Sequence, residues 1–141
     1  MMLYFDHNAT TPVMPEARAA WLEATDKFIG NPSSPHRLGQ RADTALQSAR
    51  GQLAAFLGCD AMDIVWTSGA TESNNMVFHH LAHSLPPDAE VWVSVIEHPC
   101  VLAAADVYFP KRARRILVTR AGIVDLDRLR DSLKKIGRAH V

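Results

Sequence analysis

The chain lacks an excess of charge of either sign, a long apolar run and a set of cysteines. Its 141 residues contain 15 Lys plus Arg and 15 Asp plus Glu, so the formal net charge is zero. A balanced charge offers no general attraction to nucleic acid, and we expect no nucleic-acid partner. No apolar run reaches the roughly 18 residues that a membrane span needs. We also expect no signal peptide ahead of the first folded segment. We therefore expect no membrane partner and a cytoplasmic location.

Potential metal ligands are also sparse. The two cysteines, Cys59 and Cys100, are too few for a disulfide framework, and a reducing compartment is the simpler interpretation. His79 and His83 have the four-residue spacing that can share a metal ion, but no carboxylate or cysteine stands nearby in sequence to complete a site. We expect a solvated helix face there and no metal.

Segments typical of strands and of helices alternate along the chain. The expected strands are 64–67, 91–96 and 116–118, and the expected helices are 16–28, 46–57, 71–85, 100–109 and one carrying Leu126, Leu129 and Leu133. Strands separated by helices of ten residues or more imply right-handed crossovers and a largely parallel sheet. The sequence therefore predicts an α/β fold with two helices ahead of the first strand.

The surrounding segments indicate whether the tryptophans and the basic cluster are buried or exposed. Trp21, Trp66 and Trp92 fall in apolar segments, so we expect them in the core. The basic residues between 111 and 115 lie between two apolar segments, where a solvated loop is the favoured interpretation and an anion site is the alternative.

The strongest local signal is the segment Thr67-Ser68-Gly69-Ala70-Thr71-Glu72-Ser73-Asn74-Asn75. It lies where a strand is expected to end and a helix to begin, which is where an open α/β sheet places its ligand crevice. Free N–H groups of Ala70 and Thr71, the Thr71 hydroxyl and the helix dipole would favour a phosphate. An ordinary N-cap by Ser68 or Thr71, with no ligand, is the alternative.

A second signal, Glu97-His98-Pro99, follows the next expected strand, so both segments would lie at one edge of the sheet. The His98 imidazole could stack on a flat aromatic ligand or carry a proton near neutral pH, or it could simply cap a helix. Cys100 could be a reactive thiol at a helix N-terminus, but an inert, partly buried cysteine is the favoured interpretation. We expect Thr71 and His98 to face one crevice.

The chain resembles the cysteine desulfurases, in the class V aminotransferase group of fold-type I pyridoxal-phosphate enzymes. Four motifs carry the resemblance, in family order and at family-like separations: Tyr4-Phe5-Asp6-His7-Asn8-Ala9-Thr10-Thr11-Pro12-Val13, Gly30-Asn31-Pro32-Ser33-Ser34 with His36 and Gly39, the segment 67–74, and Glu97-His98-Pro99. The resemblance covers residues 3 to about 135 and implies the N-terminal part of a mostly parallel-sheet large domain, incomplete in this chain.

The resemblance implies specific roles. Ala70 and Thr71 would hold the phosphate of pyridoxal 5′-phosphate, and the catalytic His98 would stack on its pyridine ring. The family takes sulfur from L-cysteine as an enzyme persulfide, releases L-alanine, and passes the sulfur to an acceptor or scaffold protein of iron–sulfur cluster or thio-cofactor assembly. The full-length parent would be a homodimer.

Several groups that the family needs are missing from the sequence. The lysine that anchors the cofactor lies in a Ser-Gly-His-Lys-like context, and Lys27, Lys111, Lys134 and Lys135 have other surroundings. The Asp that pairs with the pyridine nitrogen, the persulfide Cys and the Arg that binds the substrate carboxylate are also missing. We expect the chain to be inactive alone. The alternatives are another class V enzyme, such as a selenocysteine lyase or an aminotransferase, and a non-catalytic partner-binding fragment.

The last six residues form a separate expectation. Residues 1–135 are assigned to the class V domain, and residues 136–141, Ile-Gly-Arg-Ala-His-Val, are also what a common sequencing-adapter sequence encodes. We therefore expect an artefactual tail, although Ile136 also continues the stripe of Leu126, Leu129 and Leu133, with Gly137 as a helix stop.

Overall fold

The computed structural model describes residues 3–137, which divide between Val65 and Trp66 into two compact units. Most of the tail expected at 136–141 lies outside the described residues. The first unit contains helix α1 (Pro15–Lys27), helix α2 (Arg37–Leu57) and a single 3-10 turn (Ala61–Asp63). The second contains α3 (Ala70–Ser84), β1 (Val91–Ser94), α4 (Pro99–Tyr108), β2 (Ala113–Ile116) and α5 (Leu126–Gly137). The α/β class is confirmed.

The sheet of the second unit is a parallel pair. β1 and β2 run side by side in the register Val91↔Ala113 to Ser94↔Ile116, and α4 forms the crossover between them. Val95 N–H extends the ladder by donating to Ile116 O at 3.1 Å. The carboxyl end of β1 therefore leads through a short turn into the first residues of α4, which is the position of a ligand crevice in parallel sheets.

The core of the second unit lies between α3, α4 and β1. It consists of Phe78, Val93, Ala104, Ala105 and Phe109. The Phe78 and Phe109 rings meet edge to face with their centroids 6.4 Å apart, and Phe109 is fully buried. Because Ala104 and Ala105 have small side chains, α4 can approach its neighbours closely, and this packing determines where α4 begins.

The expected first strand, 64–67, is wrong. Ile64 has extended backbone angles, φ −85° and ψ 120°, but within residues 3–137 the only ladder strands are β1 and β2. An extended segment becomes a strand only when a neighbour supplies hydrogen-bond partners. Three helices therefore precede the first strand, rather than the two that the sequence predicted.

The strand expected at 116–118 is observed as β2 at Ala113–Ile116. It begins three residues earlier than predicted and includes Arg114 and Arg115. The solvated loop expected for this basic segment is therefore wrong in part. Arg114 pairs with Glu90 at 2.5 Å, and Arg115 pairs with Asp106 at 2.7 Å. These ion pairs neutralise the two guanidinium groups and allow a charged sequence to form a strand. They also weaken the anion-site alternative at this segment.

The tryptophan assignment is also wrong in part. Trp21 has 67% and Trp66 has 44% of its surface exposed, whereas Trp92 is half-buried. α1 has no buried residue. An apolar face is buried only where another element packs closely on it, and within the first unit no element buries a side chain of α1.

The loop 30–36 explains the spacing of the Gly30 and Gly39 motif. His36 is the N-cap of α2, and its ring accepts a hydrogen bond from Gly39 N–H at 3.3 Å. A Cβ added to Gly39 would clash with Ser34 O and lie 2.6 Å from Asn31 O. A Cβ on Gly30 would lie 2.7 Å from Gly39 N. The two glycines thus permit the loop to lie directly against the first turn of α2.

This close approach predicts opposite effects for two glycines of α2. Gly39→Ala should destabilise the first unit by about 1–3 kcal/mol, because the added Cβ overlaps backbone atoms that cannot move aside freely. Gly51→Ala, in the same helix with open space around its Cβ, should stabilise it by about 0.5–1 kcal/mol. Urea unfolding followed by circular dichroism measures both, and equal shifts for the two variants would contradict the packing described for Gly39.

Candidate functional site

A cavity of about 530 Å³ lies in the second unit, where the N-terminus of α3 faces the N-terminus of α4. Its walls come from two segments that are far apart in sequence. The lining residues are Ser68, Gly69, Ala70, Thr71, Glu72, Asn74, His98 and Cys100. The expectation that Thr71 and His98 face one crevice is confirmed by this geometry, although the first of the two expected strands does not form. The roles of Ala70, Thr71 and His98 toward a cofactor stay predictions.

The α3 side of the cavity offers backbone donors. α3 begins at Ala70, and its N-cap Gly69 has no side chain to bond the first turn. The first intrahelical donor is Ser73 N–H, which bonds Gly69 O at 3.1 Å. The N–H groups of Ala70 and Thr71 therefore have no acceptor within the helix, and they stand at the positive end of its dipole. The alternative in which Ser68 or Thr71 acts as the N-cap is not what the structure shows.

A carboxylate lies beside these donors. Glu72 Oε2 accepts hydrogen bonds from Ser68 N–H and from the Ser68 hydroxyl, both at 2.6 Å. The bond from the hydroxyl, and then that from the N–H, holds the pKa of Glu72 below its ordinary value. The two Ser68 donors offset part of the negative charge of the Glu72 carboxylate, which would otherwise repel an anion bound at the start of α3. They also fasten the 67–69 loop to the first turn of α3.

A hydroxyl pair strengthens the same loop. Thr67 Oγ1 and Ser73 Oγ lie 2.7 Å apart, and each is 3.3 Å from Gly69 O. The side-chain hydrogen bonds described for the 67–69 loop thus come from four residues of the motif: Thr67, Ser68, Glu72 and Ser73.

The α4 side of the cavity presents a ring and a thiol. His98 is the N-cap of α4, and its Nδ1 accepts a hydrogen bond from Cys100 N–H at 3.2 Å. The side chain is exposed, so a face of the imidazole is available to the cavity. Pro99 occupies the first helical position, where its missing N–H costs nothing. His98 therefore both begins the helix and remains available to a ligand.

The sequence did not single out the contact between Asn74 and Cys100. Asn74 Nδ2 lies 3.2 Å from Cys100 Sγ and joins the two sides of the cavity. Asn74 is four residues beyond Ala70 on α3, which places both on one helix face. That spacing is the signal that would have included Asn74 among the site residues.

The histidines of α3 lie away from this cavity. His83 Nδ1 is 2.7 Å from His79 O, and the His79 ring meets Tyr108 edge-on with centroids 5.6 Å apart. Within residues 3–134 no group of three or more His, Cys, Asp and Glu side chains is arranged to hold a metal ion. No helix of this part of the chain is long and apolar enough to cross a membrane.

Comparisons with known proteins agree with the motifs. Residues 3–138 match the family model for aminotransferase class-V. The chain is 38% identical to a cysteine desulfurase of Frankia sp. (strain EuIK1), with 94% of this chain and 34% of the relative covered. It is 36% identical to a mitosomal cysteine desulfurase of Trachipleistophora hominis, at 93% and 31% coverage, and to the cysteine desulfurase IscS of Dictyoglomus turgidum, at 94% and 34%. The chain spans about a third of the length of these relatives.

The lowered pKa of Glu72 predicts a pH-dependent contribution to stability. A carboxyl whose folded pKa is depressed stabilises the fold fully above its ordinary value of 4.5, and this contribution disappears as the pH falls through the folded value. Glu72→Gln should therefore lower the urea midpoint of the second unit near neutral pH. Below pH 4.5 the midpoints of the variant and of the unaltered chain should become more similar. Glu97→Gln is the control, because the structure gives Glu97 no side-chain hydrogen bond among the described residues. A difference that does not change with pH would contradict the role of Ser68.

Proposed function

The chain belongs to the aminotransferase class V family, and on that premise we propose that it is the N-terminal part of a pyridoxal-phosphate-dependent cysteine desulfurase. The parent enzyme would convert L-cysteine to L-alanine and transfer the sulfur as an enzyme persulfide. The observation that carries the proposal is the cavity in which Ala70 and Thr71, at the start of α3, face His98.

The residues of the cavity fit the cofactor in two respects. The free N–H groups of Ala70 and Thr71 are donors for a phosphate, and the dipole of α3 favours a negative charge at this end. The Thr71 hydroxyl adds a third donor. The exposed imidazole of His98 is a flat surface on which an aromatic ring can stack. When bound, pyridoxal phosphate supplies the electron sink that makes bonds of an amino acid easier to break.

The residues of this chain would bind and orient the cofactor, but they do not complete the reaction. Covalent anchoring by a lysine, pairing of the pyridine nitrogen by a carboxylate and sulfur transfer by a loop cysteine have no candidates in the matching contexts of this sequence. These functions would belong to the remaining two thirds of a protein of the relatives' length. We therefore propose that the 141-residue chain is catalytically inactive alone.

The partners and location follow the same family reasoning. The substrate would be L-cysteine, the full-length parent would form a homodimer, and a sulfur acceptor or scaffold protein of iron–sulfur cluster assembly would receive the sulfur. A cytoplasmic location is proposed for the parent. Residues 136–141 are proposed to be a tail foreign to the family domain, although the family match itself runs to residue 138.

Cofactor binding tests the roles of Thr71 and His98. The chain should bind pyridoxal phosphate weakly in equilibrium dialysis, and Thr71→Val should weaken binding about tenfold, because it removes one hydrogen bond to a charged phosphate. His98→Ala should weaken binding through the loss of the stacked ring. Thr44→Val, in α2 of the other unit, is the matched control and should leave binding unchanged. Equal affinities for the chain and all three variants would refute the proposed site.

A turnover assay tests the proposed incompleteness. The purified chain with pyridoxal phosphate and L-cysteine should release no alanine or sulfide above the background of free cofactor, because the anchoring lysine and the sulfur-accepting thiol are missing. The comparison is between the chain and its His98→Ala variant. Sulfide release above background that disappears in the variant would mean that the fragment is itself an enzyme.

A further inference from the structure

Asn74 stands on α3 between the buried core and the cavity. Ala70, Asn74 and Phe78 follow one another at four-residue intervals, so they lie on one face of the helix. Phe78 packs in the core, and Ala70 lies at the end of the helix that offers free N–H groups. Asn74 comes between them, is half-buried and lines the cavity. Its amide therefore lies where the apolar contact between the helices ends and the candidate site begins.

The Asn74 amide reaches across to α4. Its Nδ2 donates to Cys100 Sγ at 3.2 Å, and no other side-chain hydrogen bond in the described part of the chain joins α3 to α4. Cys100 lies one turn before the buried Ala104 on α4, so this contact is the outermost layer of the packed face. It holds the first turn of α4, which the apolar contacts of the core do not reach.

The first turn of α4 also determines the orientation of the His98 ring. Nδ1 of the ring accepts the N–H of Cys100 at 3.2 Å, so the imidazole is tied to the position of that N–H group. A movement of Cys100 would therefore move the ring with it. The contact made by Asn74 thus controls the distance between the backbone donors of α3 and the ring of His98.

We infer that Asn74 is a positioning residue, which acts through Cys100 to hold the His98 ring at a fixed distance from the start of α3. The inference rests on the proposed function, in which one ligand spans both sides of the cavity. Two binding points that are already held apart at the right distance cost the ligand no ordering free energy. Asn74 would therefore set the preference of the cavity for a phosphate joined to an aromatic ring over a phosphate alone.

Two ligands separate positioning from a general effect on α3. Pyridoxal phosphate would contact both sides of the cavity, whereas inorganic phosphate would contact only the donors of Ala70 and Thr71. Asn74→Leu has the same branched shape but no donor. In equilibrium dialysis it should weaken binding of pyridoxal phosphate about three- to tenfold, which corresponds to one hydrogen bond, and leave phosphate binding unchanged.

Asn75→Leu is the matched control for this comparison. Asn75 is also a half-buried asparagine of α3, but its amide donates to Thr71 O of its own helix at 2.8 Å. Binding of both ligands should be unchanged in this variant. Equal weakening of the two ligands by Asn74→Leu would overturn the inference, because it would show a general effect on the start of α3.

Substitutions of Cys100 test whether Asn74 acts through it. Cys100→Ala removes the acceptor and leaves Asn74 intact, so it should weaken binding of pyridoxal phosphate as much as Asn74→Leu does. The double variant should be no weaker than either single variant, because both remove the same contact. Cys100→Ser restores an acceptor and should bind like the unaltered chain. Unchanged binding in Cys100→Ala would mean that Asn74 contacts the ligand directly, and the positioning role would be refuted.

A measurement on the ligand-free chain separates this inference from the proposed function. NMR relaxation of the His98 ring, whose signal is assigned by its loss in His98→Ala, reports the motion of the ring directly. Asn74→Leu and Cys100→Ala should increase this motion, and Asn75→Leu and Cys100→Ser should not. If the unaltered chain does not bind pyridoxal phosphate, the proposed function fails. If the ring is no more mobile in Asn74→Leu than in the unaltered chain, the positioning by Asn74 fails.

Discussion

The packing of α4 against α3 and β1 is the constraint on which the candidate site depends. Phe109 at the end of α4 is fully buried, and its ring meets Phe78 of α3 edge to face. Because this end of α4 is held, the other end carries His98 and Cys100 to a fixed place opposite the start of α3. The core contributes no atom to the cavity, yet it determines the distances between groups that the chain brings together from residues 67–74 and 98–100.

Much of the helical structure could be predicted because helix boundaries are encoded by neighbouring residues. The predicted bounds of α1, α3 and α4 differ from the observed ones by about one residue, since Pro15, Gly69 and Pro99 mark the helix starts locally. The start of α2 was missed, because the residues from Arg37 to Ala45 lack a clear apolar stripe and the capping bond from Gly39 to His36 is not visible in composition. Strand 64–67 was wrong because a strand depends on a partner that its own sequence does not contain.

The contrast between local signals and long-range contacts also explains which parts of the candidate site could be predicted. The placement of Thr71 and His98 at one cavity was predicted from motifs at the ends of elements, where neighbouring residues determine the backbone geometry. The contact between Asn74 and Cys100 joins residues 26 positions apart and depends on the packing of α3 against α4. The Gly30 to Gly39 motif also has a structural explanation in the first unit, since both glycines allow close backbone approach. A motif shared with a family can therefore reflect the requirements of a turn as much as those of a ligand.

The small amount of apolar surface that this chain removes from water has a calorimetric consequence. The buried apolar side chains among the described residues are mostly alanines, whereas Phe5, Phe56 and Met62 each have more than 85% of their surface exposed. The heat capacity increment of unfolding comes mainly from newly hydrated apolar groups. A chain that already hydrates these side chains when folded has a small increment, and its stability changes only gradually with temperature.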